Sequence, residues 1–361
     1  MFIKSIEITN FRNLNSVSAE LSPAINIFYG NNGSGKTNVL EAIFVLCLGR
    51  SHRAATEAVM VNRDSEYYRI EGEVQLDGSP QQLAVAYQRG GRKQVSLDRV
   101  PIKLSELYEN LCAVSAGPED SDIIAGSPSV RRTFVDIYLS QFSRTYLSDL
   151  TNYYKVLSQK NAALKSEIDP DPFNQLLVEY GASIMVARAK FLASLAALTV
   201  DYYRKISGGC AIAIEYRPSV AVEPGSAVEE VRRRFTEKLA SRGEQEQILK
   251  ASVVGPHRDE VYFEINELPA RTHGSQGEWR TAAVSLKLAV YHLLKKERGT
   301  EPILLLDEIF AELDQQRAQA LIEAFEGFGQ VCLTTALDPP DSLRQGSRSF
   351  RIEDGAIVGS D

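Results

Sequence analysis

Apolar and polar positions alternate over residues 2–9 (FIKSIEIT) and 24–29 (AINIFY), the period of two expected of strands. The second stretch leads directly into a glycine-rich run, Gly30 to Thr37. Beyond it, Val39, Leu40, Ile43, Phe44, Leu46 and Cys47 recur at helical spacing over 36–48. The order is strand, glycine loop, helix. Residues 68–76, 82–88 and 94–98 alternate again, with glycine and proline punctuation between them, and predict an antiparallel meander.

The pattern changes near residue 127. Ser127-Pro128 is a helix start, with serine as N-cap and proline in the first helical position. Apolar positions then recur at helical spacing as far as Asp169-Pro170-Asp171-Pro172, which cannot continue a helix. A second helical run covers Phe173 to Ile206 and stops at Gly208-Gly209. The two runs predict a helical hairpin with arms of about 50 Å at 1.5 Å per residue. A strand (210–216), a charged helix (about 227–248) and a strand (260–265) follow. After these come a helix from Glu278, an apolar strand (303–306), a helix (about 315–326) and a strand (331–335).

Composition changes the picture little. The chain has 361 residues, 44% of them hydrophobic, enough to bury a full core. Its formal net charge of −7 argues against a protein that coats nucleic acid, so any DNA contact needs a local basic patch. Cys47, Cys112, Cys210 and Cys332 form no CxxC pair and suit buried thiols in a reducing compartment. The first residues alternate as a strand and not as a signal peptide. The longest apolar stretch, Gly181 to Val200, carries Arg188 and Lys190 and predicts an amphipathic helix, not a membrane span. The expectation is a cytoplasmic protein with no membrane partner.

The candidate chemistry centres on Gly30-Asn31-Asn32-Gly33-Ser34-Gly35-Lys36-Thr37, a GxxxxGK[ST] run between strand and helix. Loop N–H groups and a helix N-terminus cradle phosphate. Lys36 would reach the β/γ oxygens of ATP, and the Thr37 hydroxyl would ligate Mg²⁺. The apolar strand 303–306 ends in Asp307-Glu308. Asp307 suits the Mg²⁺ shell, and Glu308 suits activation of the attacking water. These halves of one site flank the helical hairpin in the chain. That predicts an ATP-binding head made of residues 1–120 and 250–361, interrupted by a helical insertion over 121–249. Ser275, Gln276 and Gly277 open the helix before 303–306. They suit either an anion-binding N-terminus or a plain N-cap.

In this order the phosphate loop, Ser275–Glu278 (SQGE), Leu304–Glu308 (LLLDE) and Ala311-Glu312-Leu313-Asp314 resemble ABC-type ATPase heads. The opening IKSIEITNFRNL, the GNNGSGKTNVLEAI block and Ser51-His52-Arg53 narrow the resemblance to SMC-like heads, and within them to the RecF family of bacterial recombination mediators. Gly117–Asp120, GSPSVRRTFVD at 126–136 and Gly255–Asp259 (GPHRD) resemble further segments of that family.

The resemblance implies an α/β, ABC-type (SMC-like) P-loop ATPase head with an inserted helical subdomain. It implies a homodimer assembled on ATP and Mg²⁺, with Ser275, Gln276 and Gly277 of one copy facing the ATP of the other and acting in trans. Asp314 would lie at that interface. It further implies action on double-stranded or gapped DNA together with RecO and RecR, to load RecA. Several positions depart from the wider ABC pattern: Gln276 replaces glycine, Glu278 replaces glutamine, and Thr334 or Thr335 stands where a switch histidine is usual. Glu119 or Asp120 occupies the place of the Q-loop glutamine. Slow hydrolysis follows as an expectation.

Candidate DNA contacts are Arg50, His52, Arg53, Arg131 and Arg132, with Lys155, Lys160, Lys165, Arg188 and Lys190 along the hairpin. Arg232–Arg234 have Glu229, Glu230 and Glu237 at helical spacing, so intrahelical pairing accounts for them. Two other readings compete. One is a transporter ATPase subunit, which the altered signature and missing switch histidine disfavour. The other is an ATP-gated scaffold with little DNA affinity of its own, which the acidic charge favours.

Overall fold

The structure, a computed structural model, describes residues 1–54, 56–76, 78–309, 327–336 and 346–360. It divides into two compact units, Met1–Asp120 with Val290–Asp361, and Ser121–Ala289. The helix expected at 315–326 and the segment around Asp314 lie outside the described residues.

Among the described residues the first unit contains two six-stranded sheets. One runs in the order Ala356–Ser360, Ser347–Glu353, Ile25–Tyr29, Val331–Thr335, Ile303–Leu306, Ala113–Ala116. All neighbours from Ser347–Glu353 to Ala113–Ala116 are parallel. Every residue of Ile303–Leu306 is buried, as a strand covered on both faces requires. Beside this sheet the helix Lys36–Leu48 is buried almost all round, from Val39 to Leu48. The second sheet is antiparallel and holds the meander as Tyr67–Leu76, Ser79–Gln88 and Gln94–Leu97, with Phe2–Phe11 and Leu14–Glu20 on one side.

The second unit is mainly helical. Where periodicity predicts one helix from 127 to the proline turn, there are two: Pro128–Phe142 and Arg144–Lys165. Ser143 between them is extended (φ −147°, ψ 119°), and its hydroxyl accepts a hydrogen bond from the Tyr146 N–H at 3.2 Å. A serine that caps the next helix breaks the current one, and apolar spacing carries no trace of it. The other arm, Asp171–Ser207, is a single 37-residue helix, roughly 55 Å long at 1.5 Å per residue. Its length and composition suffice for a membrane span. It packs instead on Arg144–Lys165 and on the helix Val228–Ser241. Gly181 makes the second approach possible, since a Cβ there would lie 2.5 Å from Phe235 Cε1.

The expected return to the head at residue 250 needs correction. Glu260–Ile265 pairs antiparallel with Ile212–Arg217, so this segment belongs to the second unit, and the boundary falls between Ala289 and Val290. A hairpin-like pairing across an intervening helical segment is invisible to local pattern.

Charged residues organise this unit's interior. Arg188, 1% exposed, donates to Asp136 Oδ1 (2.7 Å), Asp259 Oδ2 (3.3 Å), the Tyr146 hydroxyl (3.1 Å) and the Pro256 carbonyl (2.7 Å). Tyr146 and Tyr216 donate to the same two carboxylates. The GPHRD segment and the aspartate ending GSPSVRRTFVD therefore converge on one arginine. Lys160, also buried, pairs with Glu246 at 2.6 Å. Arg131, 5% exposed, makes a two-pronged pair with Glu260 (2.6 and 3.0 Å). These three were expected among DNA contacts; each instead balances an internal carboxylate and offers no charge to a phosphate. Arg232, Arg233 and Arg234 pair with Glu229, Glu230 and Glu237 along their own helix.

Arg188→Ala would leave Asp136 and Asp259 buried without their cation. The expected cost is about 3–5 kcal/mol of stability, the usual result of breaking a buried pair. Denaturant unfolding checks it, and a loss under about 1 kcal/mol would show that the network does not hold the unit together.

Candidate nucleotide-binding site

The glycine run needs its glycines for stated reasons. Gly30, Gly33 and Gly35 have φ of 146°, 83° and 114°, a region L side chains avoid. A Cβ on Gly30 would meet the Ile352 carbonyl oxygen at 2.2 Å, and one on Gly35 would meet Leu14 Cδ2 at 2.8 Å. Gly33 faces open space. The helix begins at Lys36, so its first N–H groups have no intrahelical acceptor. Lys36 Nζ is buried and donates to the carbonyls of Gly30 (2.9 Å) and Asn31 (3.0 Å), and lies 3.3 Å from Glu308 Oε1. The Ser34 hydroxyl is buried with no hydrogen-bond partner. Asn13 steadies the loop from outside, donating to the Gly33 carbonyl at 3.2 Å and accepting from Asn38 at 2.7 Å.

Parallel pairing brings the carboxyl ends of three strands together, where open α/β sheets bind ligands. Ile25–Tyr29 delivers the loop, Ile303–Leu306 delivers Asp307 and Glu308, and Val331–Thr335 delivers Thr334. Asp307 Oδ1 accepts from the Thr37 hydroxyl at 2.9 Å and from the Thr334 hydroxyl at 2.7 Å. Thr334 Oγ1 in turn accepts the Glu308 N–H at 2.9 Å. Glu308 has φ 46°, a strained conformation for a side chain of its kind. Burial raises the Asp307 carboxyl above its ordinary range, against the lowering effect of the two threonine hydroxyls. A cation beside it would relieve that penalty.

The residues present fit ATP and Mg²⁺. The N–H groups of the helix's first turn and the orphaned Ser34 hydroxyl suit phosphate oxygens, and a threonine hydroxyl beside a half-buried carboxylate is a hard oxygen pair. Among the described residues no three His, Cys, Asp or Glu side chains are placed to hold a metal. Mg²⁺ needs no such cage, since it takes one or two carboxylates and completes its shell with phosphate and water.

The loop Gly117–Asp120 runs beside Asp307: a Cβ on Gly117 would lie 3.2 Å from that of Asp307. Asp120 folds back to accept from the Gly117 N–H at 2.8 Å, while Glu119 accepts from Arg53 Nε at 3.2 Å. Arg53 thus stands among the residues that surround the phosphate loop. His52 packs edge-on against Phe44 with centroids 4.6 Å apart, and Arg50 lies by the Tyr108 hydroxyl. In the second unit Arg132 donates to the Asp259 carbonyl at 2.8 Å. Sequence reading passed over Asn13 and the pair in which Arg12 donates to the buried Glu41 carboxylate at 2.8 and 3.0 Å. Their polar types within otherwise strand-like and helical runs were the available signal.

Ser275, in the second unit, is exposed at the start of Gln276–Arg298. Its N–H and hydroxyl both donate to Glu278 Oε2 at 2.8 Å, and the Glu278 N–H approaches Ser275 Oγ at 3.3 Å. This is a reciprocal capping box. The glutamate that departs from the ABC pattern is the residue that closes it. Gln276 is exposed and Gly277 half-buried beside it. Asp314 lies outside the described residues.

Comparison with known proteins places these features in a family. Residues 2–339 match the model of the RecF/RecN/SMC N terminal domain. The chain is 38% identical over 367 residues to the DNA replication and repair protein RecF of Lachnoclostridium phytofermentans, covering 99% of each. It is 35% identical over 372 residues to the protein of that name from Bacillus subtilis, covering 99% of this chain and all of that one. A solved structure of the recombination mediator protein RecF with ATP, in the RecFOR pathway, superposes with a TM-score of 0.90 at 32% identity, covering 99% of this chain and 96% of that one. An Smc head bound to the C-terminal winged-helix domain of ScpA shares the fold at TM-score 0.58 and 15% identity.

Gly30→Ala should cost about 2–3 kcal/mol, because positive-φ strain adds to a clash with fixed backbone. Gly33→Ala meets only the strain, about 1 kcal/mol. Denaturant unfolding of both compares them; equal costs would contradict the close approach of Ile352.

Proposed function

The chain belongs to the RecF/RecN/SMC N-terminal domain family, and from that premise we propose that it is an ATP-dependent DNA-binding protein of recombinational repair. Two copies close on ATP, clamp DNA at gaps or junctions, and work with RecO- and RecR-type partners to load RecA. Slow hydrolysis releases the clamp.

The observation that carries this reading is the Thr37–Asp307–Thr334 cluster facing the Lys36–Glu308 pair. ATP, when bound, supplies the phosphoanhydride bond to be broken and, with Mg²⁺, the oxygens that complete the metal shell. Lys36 and the N–H groups of Gly33 to Thr37 hold phosphate oxygens, with Gly30, Asn31 and Asn32 shaping the loop and Ser34 donating its hydroxyl. Thr37 and Asp307 hold Mg²⁺, and Thr334 keeps the Asp307 carboxylate oriented. Glu308 accepts the proton of the attacking water once Lys36 has exchanged its carboxylate for phosphate. That exchange, and the absence of a switch histidine, support slow turnover and a switch rather than a motor.

Ser275, with Gln276 and Gly277, completes the site of a second copy. For this the Ser275 hydroxyl must leave Glu278, which caps the helix through the serine N–H in either case. Asp314 belongs to the same interface.

DNA contact rests on Arg132, Lys155, Lys165 and Lys190, together with Arg50, His52 and Arg53, after Arg131, Lys160 and Arg188 are set aside. A scaffold with little DNA affinity is the second reading. It is favoured by the −7 charge and by the internal use of those three cations.

ATP should double the sedimenting mass, and Ser275→Arg should abolish the shift while leaving ATP binding nearly intact. No ATP-dependent mass change in the unmodified protein would sink the dimer. Duplex and gapped DNA binding with ATP, measured on the same samples, separates the clamp from the scaffold, which predicts none.

A further inference from the structure

The strand Ser347–Glu353 pairs parallel with Ile25–Tyr29, the strand that enters the phosphate loop, as far as Arg351 opposite Tyr29. The hairpin it forms with Ala356–Ser360 therefore turns beside that loop. Glu353 pairs with Ala356, which leaves Asp354 and Gly355 as a two-residue turn. Both have positive φ, 45° and 77°, as a tight hairpin turn of this hand requires. Asp354 is exposed, but Gly355 is buried, and its N–H donates to the Ser34 carbonyl at 2.8 Å.

That bond sets the direction of one peptide group. In a planar trans peptide the C=O and the following N–H point opposite ways. With the Ser34 carbonyl turned toward Gly355, the Gly35 N–H points away from the turn, and among the described residues nothing accepts it. Loop N–H groups directed in this way are what a phosphate loop offers an anion. A second turn braces the first. A Cβ on Gly355 would lie 2.2 Å from the Asn13 carbonyl oxygen, and Asn13 Nδ2 holds the Gly33 carbonyl at 3.2 Å. The hairpin also meets the loop at its entry, where the Ile352 carbonyl fills the space that a Cβ on Gly30 would need.

We propose that Gly355 is a positioning residue of the nucleotide site: by holding the Ser34 carbonyl, its N–H aims the Gly35 N–H at a phosphate oxygen. The Asp354-Gly355 turn touches no nucleotide itself. Its bond is in place before the nucleotide arrives, so the loop is shaped in advance and binding has less ordering to do. The inference rests on the nucleotide-site reading above and extends that site to a hairpin more than 300 residues away in the chain.

The test compares Gly355→Ala with Gly90→Ala, with melting temperatures as the folding control. Gly90 also stands in a hairpin turn at positive φ, 72°, but a Cβ there meets nothing within 4 Å. Both variants carry backbone strain, and only the first drives its turn away from Asn13 and the loop. Gly355→Ala should weaken the binding of ATP and of ADP about tenfold, raise the KM for ATP by the same factor and leave kcat within about twofold, because ground and transition states lose the same contact. Gly90→Ala should change none of these. Equal nucleotide affinities in the two variants, or a fall in kcat with KM unchanged, would overturn the positioning role. Should Gly355→Ala fail to fold, hydrogen exchange of isotope-labelled glycine amides in the unmodified protein carries the test. Without nucleotide the Gly355 amide should be protected and the Gly35 amide not, and ADP should protect both. Rapid exchange at Gly355 would overturn the proposal. No ATP binding by the unmodified protein would overturn the nucleotide site itself.

Discussion

Everything proposed for this chain depends on one half-buried carboxylate. Asp307 ends a strand whose every residue is buried, and burial works against its charge. Two threonine hydroxyls, from the phosphate-loop helix and from the neighbouring strand, hold it in place. A partly desolvated acid held chiefly by hydroxyls is a costly arrangement, and a nearby cation offsets that cost. The parallel sheet exists to bring those three residues together from distant parts of the chain. The strand order places the loop strand and the acid strand on either side of Val331–Thr335, so Thr334 sits between them.

The same economy of charge runs through the second unit, with a different outcome. Arg188, Arg131 and Lys160 balance buried or half-buried carboxylates; Arg131 ties its helix to the strand Glu260–Ile265, and Lys160 ties Arg144–Lys165 to the segment that carries Glu246. Segments that look functional because of their charge, such as GPHRD, serve here to build a polar core. With those three turned inward, the proposed DNA contact is left to a sparser set of cations.

Much of the nucleotide site was legible in the chain itself. The glycine spacing, the strand before it and the helix after it are local features, and the acid pair after Ile303–Leu306 is equally local. Thr334 was marked only as one of two threonines standing where a switch histidine is usual, and nothing local tied it to Asp307. The Ser143 break and the pairing of Glu260–Ile265 with Ile212–Arg217 escaped for a related reason. Caps and long-range pairings are set by hydrogen bonds that apolar periodicity does not record. Charge was the least reliable guide: composition cannot distinguish a surface arginine from Arg188.

The central claim is that each nucleotide site is shared between two copies. Mixing Lys36→Ala protein with Ser275→Arg protein tests it most directly, because one of the two sites in a mixed dimer combines an intact loop with an intact Ser275. The account predicts that the mixture, unlike either variant alone, forms an ATP-dependent dimer and hydrolyses ATP at up to half the rate per dimer of the unmodified protein. A mixture as inactive as its components, with both variants folded, would contradict it.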